Sequence, residues 1–369
     1  MQSGPILNLP GGRVDYLMIE KLQMIGFRCF KNLSLSGLKR VNIIVGKNST
    51  GKTALLEGLF LASGSSPELY FKTRAWRGMG PLVVQPYRSS YEELFKNIFF
   101  NFDTNSVAQV HFTDSFRSDR SVTISFRHDD TGSMSLPLDT EGKADALKDS
   151  SIVIPIVFRW KSNLSTHESQ VTVTSDDIKA TSSTDVYPAV FLSSLPINSD
   201  AVQRFSKLSR ARQLAVLVSA LRRPFPQIDE LSVEIESGVS SIYAGIQGLP
   251  EKVPLAMVSG GISKYLSILL AISDAKRGAV FIDEIENGIY YDVLETLLET
   301  SLYLCKEYES QLFITTHSIE FLRSIAPLIE KYQDEFLLIR TQRDNGHVRA
   351  SQFDGARLLG ALEQGFDVR

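Results

Sequence analysis

Residues Gly46-Lys47-Asn48-Ser49-Thr50-Gly51-Lys52-Thr53 have the types and spacing to hold a triphosphate. The two glycines let the backbone approach phosphate oxygens, and the amide N–H groups at the start of a following helix point at the anion. Lys52 would carry a cation to the β- and γ-phosphates, and the Thr53 hydroxyl suits Mg²⁺. A bare glycine-rich turn gives a lysine no packing reason to sit inside it. Far along the chain, four apolar residues, Ala279 to Ile282, deliver Asp283 and Glu284. A buried parallel strand would place both carboxylates beside the phosphate loop. Asp283 would then hold Mg²⁺, often through water. Glu284 would act as general base toward an attacking water. A second apolar run, Gln311 to Thr315, leads into Thr316-His317-Ser318. His317 is either a helix cap or core residue, or a phosphate and water contact; beside the other motifs the contact is expected. Ser259-Gly260-Gly261 opens an apolar helical pattern. A serine N-cap, two glycines and a helix N-terminus make a second anion site. One chain cannot easily fold this site onto its own phosphate loop, whereas two chains facing head to tail can.

The elements that must position these groups follow from periodicity. Residues 40–45 read as a short buried strand and 54–62 as an apolar helix, the strand–loop–helix context a P-loop requires. Residues 18–27 alternate like a strand, and 30–38 form an amphipathic stretch. Residues 64–86 read as loop, and 91–100 as a short aromatic helix. From 107 to 194 the pattern has period two, with strands expected at 107–112, 121–126, 152–158 and 170–173 in an antiparallel region. Polar stretches 139–150 and 174–185 are expected loops. One helix is expected over 201–221, ended by Pro224 and Pro226. Residues 231–256 read as short strands with glycine turns. After residue 262 helices (263–276, 291–308) and strands (279–282, 311–315) alternate, which argues for a parallel sheet with crossover helices. A hairpin is expected at Asp344-Asn345-Gly346.

The helix at 201–221 carries Arg204, Lys207 and Arg210 at three-residue spacing on one face, with Arg212, Arg222 and Arg223 nearby. Nucleic acid or an acidic partner would suit that patch. A solvated face, or pairing with Asp292, Glu295 and Glu299 of the chain itself, is the simpler explanation. No aromatic residues interleave to stack on single strands.

Composition bounds the rest. The 369 residues are 43% hydrophobic and 22% charged, ordinary for a globular protein with a large core. A net charge of −3 excludes a protein that binds polyanions over its whole surface. Two isolated cysteines, Cys29 and Cys305, suit a reducing compartment rather than a disulfide framework or zinc site. No apolar run approaches a membrane span. The Gly- and Pro-containing start lacks the features of a signal peptide, so a cytoplasmic location is expected.

In their order, the P-loop, the Ser-Gly-Gly signature, the strand ending Asp283-Glu284 and His317 resemble the ABC-type ATPases. The wording of Met18-Ile19-Glu20-Lys21-Leu22, Asn42 to Asn48, Ile282-Asp283-Glu284-Ile285-Glu286-Asn287-Gly288 and Thr315-Thr316-His317-Ser318 is similar to the AAA15/AAA21 and OLD-like ATPases, relatives of the RecF/SMC group. The resemblance covers the two motif-bearing ends, residues 18–63 and 254–325. It implies an α/β P-loop NTPase of ABC/RecF-like type: a mixed sheet with a parallel core, an antiparallel β region and a helical lobe. The implied organisation is a flexible leader (1–16), an ATPase part with the P-loop and antiparallel region (17–195), a lobe with the basic helix (196–258), and the signature, Asp-Glu and His part (259–369). It implies ATP and Mg²⁺ as ligands and a homodimer or higher even oligomer. In that assembly Ser259, Gly260, Gly261 and Lys264 of one chain would meet ATP held by the other, and Glu286-Asn287-Gly288 would lie at the seam.

Departures from the pattern narrow the expectation. Only Gln85 offers itself as the family's glutamine loop. The signature lacks the leading Leu and trailing Gln of transporter subunits, and no heptad run supports an SMC-type arm. The stretch after His317 is too short for the TOPRIM nuclease domain of OLD nucleases, so a separate effector, such as a nuclease, is the expected partner. A switch controlling such an effector in bacterial or phage defence is the leading expectation; a DNA-repair or chromosome-maintenance ATPase binding DNA directly is the alternative.

Overall fold

The structure, a computed structural model, describes residues 17–79, 88–127, 134–135, 152–153, 155–173, 178–194, 199–344 and 347–364. The leader 1–16, Gln85, the stretch 139–150 and the Asn345-Gly346 turn lie outside the described residues.

The apolar runs read from sequence become neighbouring strands of one six-stranded sheet. Its order is Ala189–Leu192, Ala279–Ile282, Gln311–Thr315, Val41–Val45, Phe336–Asp344, His347–Asp354. The first five run parallel and the last returns antiparallel. The P-loop strand Val41–Val45 therefore sits between two strands from the far end of the chain. Alternate side chains enter two different cores. Ile44, Phe281, Phe313, Leu337 and Ile339 face the P-loop helix Lys52–Ser63 and a second sheet. Ile43, Val45, Ile282, Ile314 and Leu338 face helices Gly260–Asp274 and Leu294–Glu307. Burial on both faces explains why these strands read as unbroken apolar runs. Each buried Ile, Leu or Phe contributes about 1.5–3 kcal/mol, enough to outweigh the weak intrinsic preference of a four-residue strand.

The second sheet is antiparallel throughout. Its six strands lie in the order Phe30–Ser36, Ile19–Phe27, Ala108–Asp114, Asp119–Phe126, Ile156–Ser162, Thr166–Gln170. One face packs on the P-loop helix and the other meets solvent, which is the period-two pattern of the sequence. A three-stranded sheet, Ile228–Glu236, Val239–Ile246 and Val253–Pro254, stands beside the helical lobe. Its hairpin turns at Ser237 and Gly238, both at positive φ, as a two-residue turn matching strand twist requires.

Four local expectations need correction. Residues 64–86 are not all loop: helix Glu68–Trp76 forms behind Pro67, with Tyr70 and Thr73 buried. The aromatic stretch 91–100 is a short helix, Arg88–Phe95, followed by two single turns of tighter helix. The strand Ala189–Leu192 at the end of the period-two region joins the parallel sheet. The basic helix is two helices, Ser199–Arg210 and Leu214–Arg222. Arg212 between them adopts φ 56°, while Arg212 N–H donates to Ser209 O and Gln213 N–H to Leu208 O. That is a Schellman-type stop, made without the usual glycine. Among the described residues, no helix is long and apolar enough to cross a membrane.

Candidate functional site

The strand register brings the chemistry-bearing residues to one edge. Ile282 pairs with Ile314, and Ile314 with Ile43, so Asp283, Thr315 and the P-loop all emerge at the same strand ends. The P-loop leaves the sheet at Gly46 and enters its helix at Lys52. Gly51 has φ 91°, and a Cβ there would lie 2.6 Å from Cys29 Sγ and 2.9 Å from Phe30 Cζ. Only glycine fits that pinch between loop and antiparallel sheet. The loop is braced from the far side: Thr50 Oγ1 donates to Lys47 O at 2.8 Å and shares a 2.9 Å bond with Thr341 Oγ1. Thr341 Oγ1 also lies 3.1 Å from Val45 O, an alternative acceptor for its single proton.

Lys52 Nζ donates to Gly46 O at 2.7 Å and to Lys47 O at 3.1 Å, so its charge is held over the loop. Burial lowers its pKa, against the pull of Asp283, Glu284 and Glu286. Thr53 Oγ1 donates to both Asp283 oxygens, at 3.0 and 3.1 Å. Thr315 Oγ1 donates to Asp283 Oδ1 at 2.6 Å. Asp283 is 8% exposed, and burial raises its carboxyl pKa despite the Thr315 and Thr53 hydrogen bonds. A buried carboxylate facing a hydroxyl is a hard-oxygen set that fits Mg²⁺, which keeps several of its waters. Among the described residues no group of three or more His, Cys, Asp and Glu could hold a metal ion.

Glu284 is a backbone exception. Its φ is 50°, a left-handed conformation that costs a non-glycine residue on the order of 1–3 kcal/mol. Its N–H donates to Thr315 Oγ1 at 2.8 Å. Its C=O accepts from Asn287 N–H at 3.0 Å and from Lys264 Nζ at 2.6 Å. Glu286 receives the His317 N–H at 3.0 Å and faces its Nδ1 at 3.5 Å. His317 thus stands beside the acidic turn.

Ser259 caps helix Gly260–Asp274, its Oγ accepting from Ile262 N–H at 3.4 Å. Its hydrogen bonds among the described residues stay local. A Cβ on Gly261 would lie 2.7 Å from Gly288 O, so the signature touches the turn after Glu284 backbone to backbone. Ser259, Gly261, Phe225, Gly288 and Tyr290 line an open cavity of about 570 Å³. Lys264 turns inward: besides Glu284 O, its Nζ donates to Asn287 O at 2.9 Å. Burial lowers its pKa to about 8.

The basic patch is part-neutralised within the chain. Arg204 lies 3.5 Å and Lys207 2.5 Å from Asp274, and Arg204 also reaches Asp200. Arg223 pairs with Glu299 at 2.7 Å. The sequence reading missed Thr315, which links Asp283 to Glu284, and Glu57. Glu57 is buried on the P-loop helix, where Arg77 grips it in a fork at 2.6 and 2.9 Å and Arg28 lies 2.9 Å away. A buried acid amid an apolar helical run was the available signal for Glu57.

Residues 41–323 match the family described as AAA domain, putative AbiEii toxin, Type IV TA system. A Helicobacter pylori protein named ATP/GTP phosphatase is 24% identical over 370 residues, covering 92% of this chain and 97% of that protein. An uncharacterised Methanocaldococcus jannaschii protein is 28% identical over 121 residues, 30% of this chain and 55% of that one. Among solved structures, the SMC head domain from Thermotoga maritima aligns with a TM-score of 0.47 at 14% identity, covering 91% of this chain and 98% of that one.

Proposed function

The chain belongs to the family described as AAA domain, putative AbiEii toxin, Type IV TA system, an ATPase related to the ABC, RecF and SMC group, and from that premise we propose an ATP-driven switch. In this reading two copies close around two ATP molecules, hydrolysis opens them, and the motion controls a separate effector such as a nuclease. The observation that carries it is the Thr53–Asp283–Thr315 hydrogen-bond cluster at the mouth of the P-loop, next to Glu284 and His317. The Helicobacter relative's name supports hydrolysis, and the family's toxin–antitoxin wording supports a defence role.

The residues divide the work as follows. P-loop amides and Lys52 hold the β- and γ-phosphates. Thr53 and Asp283 would hold Mg²⁺, which neutralises charge on the phosphate oxygens. Glu284 takes the proton of the attacking water, and His317 faces the γ-phosphate side. Ser259, Gly260 and Gly261 supply helix N-terminal amides to the ATP of the second copy. The signature borders the Gly288 turn, and in this reading it completes the site of the second copy.

Glu284→Gln tests this. Phosphate release should fall roughly 10²–10⁴-fold while ATP binding persists and a long-lived ATP-dependent dimer appears on gel filtration. Unchanged turnover would remove Glu284 as the base. Lys52→Ala should abolish nucleotide binding itself.

A further inference from the structure

Helix Gly260–Asp274 and the turn 284–288 are joined at two points. One is the close approach of Gly261 to Gly288 O. The other is Lys264, whose Nζ donates to Glu284 O at 2.6 Å and to Asn287 O at 2.9 Å. Lysine is seldom drawn under a loop to serve backbone carbonyls, since desolvating an ammonium is costly. Here the two carbonyls belong to a turn whose first residue is left-handed. Glu284 is therefore gripped on both sides: its N–H by Thr315 from the sheet and its C=O by Lys264 from the signature helix.

We propose that Lys264 is a positioning residue that couples the two ATP sites of the assembly, transmitting the seating of the signature helix on one ATP to the Glu284 of its own chain. The proposal rests on the two-copy reading above. Its physical basis is short range. Ser259 and Gly261, at the helix start, meet the second copy's nucleotide, and Lys264 lies one turn further along the same rigid helix. A small tilt of that helix pulls on the carbonyl of Glu284, and through it on the Glu284 carboxylate, which accepts from Asn287 Nδ2 at 3.4 Å. The left-handed backbone makes the turn responsive, because without both grips the conformation relaxes to a lower-energy region. Each site thereby reads whether the other is filled.

The test compares wild type with Lys264→Met and Lys264→Gln in steady-state ATPase assays, with nucleotide affinity measured separately on a fluorescent ATP analogue. Methionine keeps the length and removes both donors; glutamine keeps a donor. Lys264→Met should lower kcat roughly 10–100-fold, as small misplacements of reacting groups do. Nucleotide affinity should stay within about twofold, and the Hill coefficient for ATP should fall to about one from a wild-type value above it. Glutamine should recover part of both losses. If Lys264→Met keeps wild-type kcat and cooperativity, or loses nucleotide binding in step with kcat, the coupling role is overturned. If the methionine variant does not fold, glutamine decides on the same readouts. Gel filtration of Glu284→Gln with ATP separates the two ideas. No ATP-dependent dimer there overturns the composite site and the coupling with it. A dimer together with wild-type behaviour of the Lys264 variants overturns the coupling alone.

Discussion

Thr315 holds two acids at once, through one oxygen. Its hydroxyl donates to Asp283 Oδ1 at 2.6 Å and accepts the Glu284 N–H at 2.8 Å. Thr315→Val keeps the shape and leaves that N–H and carboxylate short of a partner, a cost of about 1–3 kcal/mol. We expect a urea midpoint shift of that size, and a higher Mg²⁺ requirement for ATP hydrolysis, measured by metal titration. A variant with wild-type Mg²⁺ dependence would assign Thr315 to packing alone. At this scale Asp283, Glu284 and His317 were legible because each ends an apolar run, and strand ends at one sheet edge collect polar groups. Thr315 was not, because a threonine at the end of a strand is an ordinary strand residue until its partners are known. The inward turn of Lys264 was also hidden, since sequence spacing gives a helix position but not which carbonyls lie beneath it.

At the scale of elements, the strand Ala189–Leu192 must be delivered from the antiparallel region to the edge of the parallel sheet. Asp185 anchors the segment that does this. Its carboxylate accepts from Ser162 Oγ at 2.5 Å, Ser165 Oγ at 2.6 Å and the Arg120 guanidinium. Tyr187 N–H then donates to Ser63 O at the end of the P-loop helix, 2.8 Å away. Burial pushes the Asp185 carboxyl up, but the two serines and Arg120 outweigh it and hold its pKa below the ordinary aspartate value. A depressed carboxyl contributes stability that is full above its unfolded pKa and is lost as pH falls through the folded value. Asp185→Asn should therefore cost about 1–3 kcal/mol at pH 7, and the difference should shrink below about pH 4. Equal losses at both pH values in urea titrations would exclude the ionised carboxylate as the anchor. The strand itself was hard to see: only four residues long, it continues a period-two region whose other long strands are antiparallel. The split in the basic helix was invisible for a different reason. A left-handed stop usually announces itself by glycine, and here Arg212 takes that conformation. Helix Glu68–Trp76 buries only Tyr70 and Thr73, too little to leave a helical stripe.

At the scale of the molecule, the corner that would meet a second copy is exposed: Met257 is 83%, Tyr290 67% and Tyr291 62% exposed beside the signature. Met257→Glu should leave the fold and ATP affinity unchanged and weaken ATP-dependent dimerisation at least tenfold, read by sedimentation of the Glu284→Gln protein. Undiminished dimerisation would move the seam elsewhere. The topology has a further consequence, in the time it takes the protein to be made. Among the described residues, the strand Val41–Val45 pairs only with Gln311–Thr315 and Phe336–Asp344. At about 5–20 residues per second, a ribosome needs on the order of 15–60 s to supply those neighbours. Throughout that interval the nascent chain exposes an unpaired apolar strand with its phosphate loop unsupported. Translation arrested before residue 311 thus yields a polypeptide carrying the full P-loop sequence but no site. Its affinity for ATP arises late, all at once, when the central strand is finally enclosed.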